Sequence, residues 1–511
     1  MPFSFLTTFP VQRLLFALCI GLVLFPKTAF AQPEDATVRF TILHLNDVYE
    51  ITPISGEGGM ARVATLRKRL RHNNPNTWSV LAGDMFSPSA LGTARVAGER
   101  LAGKQIVAMM NAVGLDYMTF GNHEFDLSEE QFHKRMAESR FQWFSSNVMN
   151  AQGASFPNVP THRIIEVTNG KGKKIKVGLF GVTLPVNPKP YVRYLDVFET
   201  AKKEVEILRP QVDILIAMTH QAFDDDRKLS ETFPQIDLII GGHEHIHHAF
   251  EKGNLAPIYK ADANARSAYI HYFAYNTATK KFKRNSILRK LSADIPEETA
   301  VKEQVEKWVN IAFDGFRKEG FQPNQHVATS TIALDGTEES VRDHSTALTK
   351  LIADGILKET EGAELAIYNS GSIRIDDTLL PGTISEYDVI RILPFGGKVL
   401  LAEIKGAFLQ KILDQGVKNR GIGGYLQTAN VMQDESGKGW IIAGTSLDPE
   451  RRYRVAIVDF LLSGREQNLE FLRQDAPDVK VIREGIDIRQ TTIRQFKREF
   501  PAQEQEKSKK S

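Results

Sequence analysis

Five hydrophobic runs in the first half of the chain each end on a polar residue that can bind a metal ion. The residues at the run ends are Asp47 (ILHLND), Asp84 (VLAGD), Asn122 with His123 (TFGNHEFD), His220 (ILIAMTH), and His243 with His245 (LIIGGHEH). A short apolar run that is bounded by turn residues is typical of a buried β-strand. Because the carboxyl ends of strands in α/β proteins meet at one crevice, we predict that these residues share a site.

The rest of the pattern predicts two domains joined by a helix. Short runs rich in Val, Ile and Leu alternate with helical stretches over residues 32–292, which predicts an α/β domain. The charged stretch 297–318 has no strand-like runs and predicts a helix within a connecting segment at 293–324. A second α/β domain is predicted at 325–500, and the polar tail at 501–511 is predicted to be disordered.

The first 31 residues have the pattern of a cleavable signal peptide. Arg13 precedes the apolar run 14–25, and Ala29-Phe30-Ala31 gives a small-x-small cleavage pattern. The apolar run is too short to span a bilayer, so we expect no stable membrane insertion after cleavage. The sequence therefore predicts a periplasmic or secreted protein.

Composition restricts both the metal ligands and the partners. The single cysteine, Cys19, lies in the signal segment, so any metal in the mature chain must bind oxygen and nitrogen atoms. With 64 Lys and Arg against 62 Asp and Glu, the net charge of +2 argues against a nucleic acid polymer as partner.

His44, on the first predicted strand, is expected to be packed or hydrogen-bonded rather than a ligand.

Carboxylate, carboxamide and imidazole groups together form a ligand set for divalent metal ions. Two ions about 4 Å apart can hold a bridging hydroxide and clamp the oxygens of a phosphate ester, which requires a bridging carboxylate. We predict that Asp84 is this bridge, because Gly83 lets the backbone turn closely beside the metals. The other predicted ligands are Asn122, His220 and His243 for one ion, and Asp47 and His245 for the second. The residues do not distinguish Zn, Mn, Mg, Co and Ca.

His123 is predicted to act on the leaving group rather than to bind metal. It directly follows the predicted ligand Asn122, and Asp126 three residues later can hold its imidazole in the required tautomer.

The order of these blocks, D…GD…GNHE…H…GHxH, resembles the calcineurin-like metallophosphoesterase superfamily. The segments NSGSIR (369–374), PFG (394–396) and GGMARVATL (58–66) are similar to blocks of the 5'-nucleotidase family within it. The resemblance implies an α/β fold: an N-terminal four-layer β-sandwich flanked by helices, and a smaller C-terminal α/β domain joined to it by a helix. It also implies an exported hydrolase with two metal ions that releases phosphate from nucleoside monophosphates, by in-line attack of a metal-bridging hydroxide.

Individual roles follow from the same resemblance. His123 and Asp126 would be the catalytic dyad, and Arg374 would bind the substrate phosphate. Phe395 and Phe460 would hold a nucleobase between them by stacking. The partner is thus expected to be a small nucleotide or a related phosphoester. Since Arg374 lies in the second domain, a domain rotation is expected to open and close the site.

Tyr49 departs from the family pattern, which has Asp-x-His in the first block. In one interpretation its side chain is a packing residue or a hydroxyl behind the metal ligands. In the other it binds the metal as tyrosinate, a hard anionic donor that favours a ferric ion at that position.

The substrate-binding blocks depart from the family pattern as well, and leave three functions open. Gly397 stands where the family has Asn, Gly464-Arg465-Glu466 replaces a Gly-Gly-Asp segment, and the stretch 342–350 is degenerate. The first function is a 5'-nucleotidase, and the second is a cyclic-nucleotide phosphodiesterase or nucleotide-sugar pyrophosphatase on the same metals. The third is a nucleotide-binding protein with a decayed catalytic site, which the intact GNHEFD and GGHEH blocks disfavour.

Overall fold

The computed structural model describes residues 36–501. The predicted signal peptide, residues 1–31, and all but the first residue of the predicted tail lie outside the described residues. Within 36–501, no helix combines the length and the apolar composition that a membrane crossing requires.

The N-terminal domain contains two six-stranded mixed sheets. The first sheet has the order β16-β15-β1-β2-β5-β6 and the second has the order β13-β14-β12-β11-β9-β8. The strands of the whole N-terminal domain are β1 (Thr37–Leu45), β2 (Thr77–Ala82), β3 (Arg95–Val96), β4 (Glu99–Arg100), β5 (Tyr117–Thr119), β6 (Gln142–Trp143), β7 (Val148–Asn150), β8 (His162–Thr168), β9 (Lys174–Thr183), β10 (Val192–Tyr194), β11 (Ile214–His220), β12 (Leu238–Gly242), β13 (His248–Phe250), β14 (Ile258–Lys260), β15 (Ser267–Asn276) and β16 (Lys281–Lys290). β1, β2 and β5 are parallel neighbours, as are β9, β11, β12 and β14.

The two sheets pack face to face, and helices cover both outer faces. Apolar side chains of β1 and β2 meet those of β9, β11 and β12 between the sheets. The helices of this part of the chain are α1 (Met60–Asn73), α2 (Lys104–Val113), α3 (Glu129–Glu138), α4 (Val197–Leu208), α5 (Phe223–Thr232) and α6 (Thr299–Lys318). Side chains of α4 and α5 pack on the second sheet, and those of α1 and α2 pack on the first. The predicted four-layer sandwich of helix, sheet, sheet and helix is confirmed.

Local sequence accounts for the strands and helices that carry the site. All seven residues of β11, ILIAMTH, are buried, as expected for a strand covered on both faces. α3 begins with a capping box, in which Ser128 accepts from the Gln131 backbone and Gln131 accepts from the Ser128 backbone. Helix α6, between the domains, packs against α1 and α2, so it belongs physically to the first domain.

The C-terminal domain contains a five-stranded mixed sheet of order β23-β19-β27-β22-β28 with helices packed on it. Its strands are β17 (His326–Ser330), β18 (Leu334–Asp335), β19 (Leu365–Asn369), β20 (Thr378–Leu379), β21 (Gly382–Ser385), β22 (Lys398–Lys405), β23 (Leu426–Ala429), β24 (Val431–Gln433), β25 (Trp440–Ile442), β26 (Thr445–Ser446), β27 (Arg452–Val458) and β28 (Val479–Asp487). Its helices are α7 (Glu338–Asp343), α8 (Ala347–Glu359), α9 (Glu386–Ile392), α10 (Gly406–Lys418) and α11 (Ile488–Glu499). The smaller α/β domain expected from the sequence is therefore present.

Candidate metal centre at the strand ends

The polar residues at the run ends lie where their strands end, and the two sheets bring them together. Asp47 and Asp84 follow β1 and β2 of the first sheet, and His220 is the last residue of β11 in the second. One ligand atom from each of these three residues lies within 4.8 Å of the other two. All three side chains are at most 1% exposed.

Each carboxylate is anchored through one oxygen and presents the other to the site. Oδ2 of Asp47 accepts from the Asn46 amide and from the backbone N–H of His243, both at 2.9 Å. Oδ1 of Asp84 accepts from the backbone N–H of His123 at 2.8 Å. The other oxygens, Oδ1 of Asp47 and Oδ2 of Asp84, lie 3.9 and 3.2 Å from Nε2 of His220. Fixed carboxylates of this kind are preorganised ligands.

His220 and His245 are likewise anchored through one ring nitrogen and present the other to the site, and their anchors differ. Nδ1 of His220 donates to the Ala82 carbonyl at 2.8 Å, which directs Nε2 towards Asp84. Nδ1 of His245 instead donates to the Asp376 carboxylate of the C-terminal domain. Nε2 of His245 then lies 3.7 Å from Oδ1 of Asp47.

Tyr49 places its hydroxyl between three of these ligand atoms. The hydroxyl oxygen lies 3.0 Å from Oδ2 of Asp84, 3.2 Å from Oδ1 of Asp47 and 3.3 Å from Nε2 of His245. Donor atoms that bind one ion at about 2.0–2.2 Å are roughly 3.0–3.5 Å apart. The spacing around Tyr49 therefore fits one coordination shell, and it equally fits hydrogen bonds from the neutral hydroxyl to the two carboxylates, whose charges together with burial raise the pKa of Tyr49. The tyrosine itself is 4% exposed.

The remaining predicted ligands lie on the His220 side. Oδ1 of Asn122 is 3.2 Å from Nε2 of His220. The ring of His243 packs edge-on against the His220 ring, with 5.4 Å between the centroids. Asp84 thus faces two corners: a His220 corner with Asn122 and His243, and a His245 corner with Asp47 and Tyr49.

The electrostatics of the centre favour a bound cation. Burial opposes a charge on His220, but Asp84 and Asp47 raise the pKa of His220 to about 10. Burial would raise the pKa of Asp84, yet the charges of His220 and His123 outweigh it and hold that pKa well below its usual range. Burial, reinforced by the charge of His220, lowers the pKa of His243 to about 3. The donor set fits metal ions of the hard-to-borderline class.

The backbone is strained at the predicted ligands. Asp47, Asp84 and His243 have φ of 52°, 60° and 88°, in the region that L residues adopt rarely. Such strain is concentrated at functional sites, where the surrounding structure holds it. Gly83 allows the close approach expected of it, because its φ is 82° and a Cβ there would collide with the His220 ring.

His123 and Asp126 form a pair beside the metal ligands, in a short 3-10 helix that follows β5. Nδ1 of His123 is 2.7 Å from Oδ2 of Asp126, and the His123 side chain is 19% exposed. Burial lowers the pKa of His123, but the charges of Asp126 and Asp84 raise it by more than burial lowers it. The pKa of His123 therefore lies above the usual value. Nε2 of His123 is left for contact with a substrate.

The predicted substrate residues lie on loops of the C-terminal domain. Arg374 lines a cleft between the domains together with His123 and Tyr49. Its guanidinium is 5.7 Å from the centre of the Phe395 ring, which is 41% exposed. Phe460 is 37% exposed and lies against Arg465, 5.5 Å away, at the same end of the β22–β27 pair as Phe395.

Three residues of the site were not predicted from the sequence. Asn187 donates to Oδ1 of Asp126 at 3.0 Å and so anchors the dyad carboxylate. Glu124 accepts the backbone N–H groups of Gly121 and Asp84 at 2.6 and 3.0 Å, fixing the loops that carry the ligands. Asp376 binds His245 across the domain boundary. Glu124 belongs to the GNHE block and could have been found there, whereas Asn187 and Asp376 give no sequence signal of their own.

Comparisons with known proteins agree with the arrangement of the two domains. Residues 40–247 match the family model of calcineurin-like phosphoesterases, and residues 326–472 match that of the 5'-nucleotidase C-terminal domain. The trifunctional nucleotide phosphoesterase protein YfkN of Bacillus subtilis is 27% identical over 78% of this chain. The match spans only 29% of the length of YfkN.

Two further comparisons extend over nearly the whole chain. The human 5'-nucleotidase is 25% identical, with 95% of this chain and 92% of that protein covered. The crystal structure of a 5'-nucleotidase precursor from Thermus thermophilus has the same fold, with a TM-score of 0.72 and 22% identity over 90% of this chain and 97% of that one. The chain therefore belongs to the calcineurin-like metallophosphoesterases, carries the C-terminal domain of the 5'-nucleotidases, and is a metal-dependent phosphoester hydrolase of that type.

Proposed function

We propose that the protein is an exported 5'-nucleotidase that uses two metal ions to release phosphate from nucleoside monophosphates. One observation carries the proposal: Oδ2 of Asp84 faces both corners of the centre, 3.2 Å from His220 and 3.0 Å from Tyr49. A single carboxylate oxygen shared by two donor groups is what a pair of bridged ions needs. Export is proposed from the signal-peptide pattern of residues 1–31, and the compartment is the periplasm or the outside of the cell.

Ligands are assigned to each ion by proximity. One ion would be held by Asp84, Asn122, His220 and His243, and the other by Asp47, Asp84 and His245, with Tyr49 either as a further donor or as a hydroxyl hydrogen-bonded behind them. When bound, such ions supply a nucleophile from water at neutral pH and neutralise the charge on the phosphoryl oxygens.

The protein side chains provide the remaining steps. Asp126 holds Nδ1–H of His123 and, with Asp84, raises its pKa, so the protonated ring presents Nε2–H to the leaving oxygen and donates this proton as the ester bond breaks, leaving a neutral imidazole. Arg374 binds the phosphate from the C-terminal domain as a charged fork of donors. Phe395 and Phe460 stack on the base.

The names of related proteins support a nucleotide as substrate. The human relative is a 5'-nucleotidase, and YfkN is described as a trifunctional nucleotide phosphoesterase. Because the second name is not limited to monophosphates, other nucleotide phosphoesters belong in the substrate panel.

A substrate panel combined with metal analysis tests the proposal. Elemental analysis of the purified holoenzyme should give two metal ions per chain. Among a nucleoside 5'-monophosphate, a 2',3'-cyclic nucleotide and a nucleotide sugar, the monophosphate should have the highest kcat/KM. Preference for either of the others would replace the nucleotidase assignment with a phosphodiesterase or pyrophosphatase.

A substitution in the dyad separates an enzyme from a binding protein. His123→Asn should lower kcat about 10²- to 10⁴-fold while the metal content stays at two ions, because His123 is proposed to act on the leaving group only. Complete metal loading of the wild type without hydrolysis of any phosphoester would favour a nucleotide-binding protein instead.

A further inference from the structure

The His245 corner depends on a residue of the other domain. Oδ2 of Asp376 accepts from Nδ1 of His245, and Oδ1 of Asp376 accepts from the backbone N–H of Glu338 at 2.6 Å. One oxygen therefore holds the carboxylate to the start of α7 in its own domain. The second oxygen reaches the imidazole of the N-terminal domain.

The loop around Asp376 is built to hold this contact. Asp376 has φ of 41°, so the chain adopts a strained left-handed conformation at this residue. The next residue, Asp377, forms an ion pair with Arg266 of the N-terminal domain at 3.3 Å, and its carbonyl accepts from the backbone N–H of Gly336. Two adjacent aspartates thus bind two adjacent parts of the other domain.

The contact determines how His245 is presented. With Nδ1–H engaged by Asp376, the lone pair of His245 is on Nε2, which faces Tyr49 and Asp47 at 3.3 and 3.7 Å. A carboxylate on the far nitrogen of an imidazole fixes its tautomer and orientation and makes it a stronger ligand. His220 has a neutral backbone carbonyl in this position, and that carbonyl belongs to its own domain.

We propose that Asp376 is a positioning residue through which the C-terminal domain sets the metal affinity of the His245 corner. The inference rests on the proposed function, because it takes His245 as a metal ligand. The same loop carries Arg374, which lines the cleft with His123. Phosphate binding by Arg374 and support of the second ion by Asp376 are therefore tied to one segment, 374–376. A domain rotation that opened the cleft would withdraw this loop from His245 and from His123 together.

The test compares three variants by how firmly they keep their metals. Asp376→Gly removes the carboxylate and tolerates the left-handed backbone, and Asp376→Asn keeps the backbone preference and the size but removes the charge. Asp377→Asn is the matched control, since Asp377 pairs with Arg266 at the same interface and touches no proposed ligand. Each holoenzyme is dialysed against a series of EDTA concentrations, and the ions retained per chain are counted by elemental analysis.

Asp376→Gly should lose one of its two ions at an EDTA concentration about 10- to 100-fold below that of the wild type, and keep the other as the wild type does. Asp376→Asn should lie between Asp376→Gly and the wild type, and Asp377→Asn should match the wild type within about twofold. The melting temperatures of the EDTA-treated proteins should agree, since a general structural defect would lower that of Asp376→Gly.

The outcomes separate this inference from the proposed function. Wild-type retention of both ions by Asp376→Gly, in a protein that loses them on Asp84→Asn substitution, would overturn the role of Asp376 alone. Retention of both ions by Asp84→Asn would overturn the metal centre itself. Equal weakening by Asp377→Asn would show that the whole interface matters and not the carboxylate on His245.

Discussion

The two faces of the cleft are built in opposite ways. On the N-terminal face, Asp47, Asp84 and His220 stand at the ends of core strands, are at most 1% exposed, and are anchored within their own domain. On the C-terminal face, Phe395 and Phe460 lie on loops and are 41% and 37% exposed. The proposed metal ligands are thus buried and anchored, while the residues proposed to recognise the substrate are left open to a ligand. Asp376 is the exception, because it belongs to one face and acts on the other.

The largest expected effect is on the N-terminal face and is independent of substrate. Asp84→Asn should remove the charge shared by both corners, so both ions are lost or displaced. Metal ions contribute several kcal/mol to such reactions, so kcat/KM should fall by about 10³-fold or more. Assays with a nucleoside monophosphate and with ribose 5-phosphate should show the same loss. A loss of kcat/KM for the nucleotide alone would contradict the claim that the N-terminal face acts independently of the base.

The C-terminal face should show the reverse selectivity. Phe395→Ala removes one stacking surface, worth about 1–3 kcal/mol per base, so kcat/KM for a nucleoside monophosphate should fall ~5- to 150-fold. Ribose 5-phosphate has the same reacting groups and no base, so its kcat/KM should stay within about twofold. Equal losses on the two substrates would mean that Phe395 supports the cleft and does not bind a base.

Tyr49→Phe should change which metal ion binds at the His245 corner more than it changes the rate of hydrolysis. As a phenolate beside two carboxylates and an imidazole, Tyr49 would favour ferric iron at the His245 corner. The holoenzyme should then absorb visible light, and Tyr49→Phe should lose both the colour and the iron. Tyr194→Phe is the control, because the Tyr194 hydroxyl donates to the Val186 carbonyl and not to the acids. A colourless, fully metallated wild type whose metal content is unchanged in Tyr49→Phe would leave Tyr49 as a hydrogen-bonding residue.

The smallest expected effect is on the free energy of unfolding at acid pH. It is expected from buried histidines of the N-terminal domain and not from the histidines of the C-terminal domain. Burial lowers the pKa of His44 to about 3 and that of His271 well below its usual value, whereas the histidines of the C-terminal domain, His326 and His344, are exposed. At His44 and His271 the folded state thus binds fewer protons than the unfolded state, so the stabilisation from these two neutral rings is complete above pH 6.5 and is lost as the pH falls from there toward 3.

Replacement of His271 by Asn should therefore flatten the fall in free energy of unfolding between pH 7 and pH 5. The measurement is denaturant unfolding at several pH values in EDTA, which removes the contribution of bound metal. An unchanged slope would contradict the assignment of neutral buried imidazoles. The matched substitution His326→Asn, at an exposed position, should leave the slope as it is.

The imidazoles of His44 and His271 show how the interior uses polar groups away from the site. Nε2 of His44 lies 3.0 Å from the Gly241 carbonyl, and Nδ1 of His271 lies 2.8 Å from the hydroxyl of Ser286. Both contacts suit neutral rings. The prediction that His44 is packed or hydrogen-bonded, and not a ligand, agrees with this position.

The sequence by itself determined the strands, the fold class and the residues of the N-terminal face. Strand ends carry strong local signals, because an apolar run followed by Gly, Asp, Asn or His fixes both the element and the place where it stops. Parallel pairing of β1 with β2 and of β11 with β12 then brings Asp47, Asp84 and His220 to one place. The roles of individual ligands stay predictions.

Only the tertiary structure decided which groups stand behind the ligands and how the domains meet. The anchor of His220 is a backbone carbonyl, for which no residue type is required. The anchor of His245 is Asp376, 131 positions further along the chain and in another domain. A contact at that separation depends on how the two domains pack against each other, and no local pattern of apolar and polar residues records that packing.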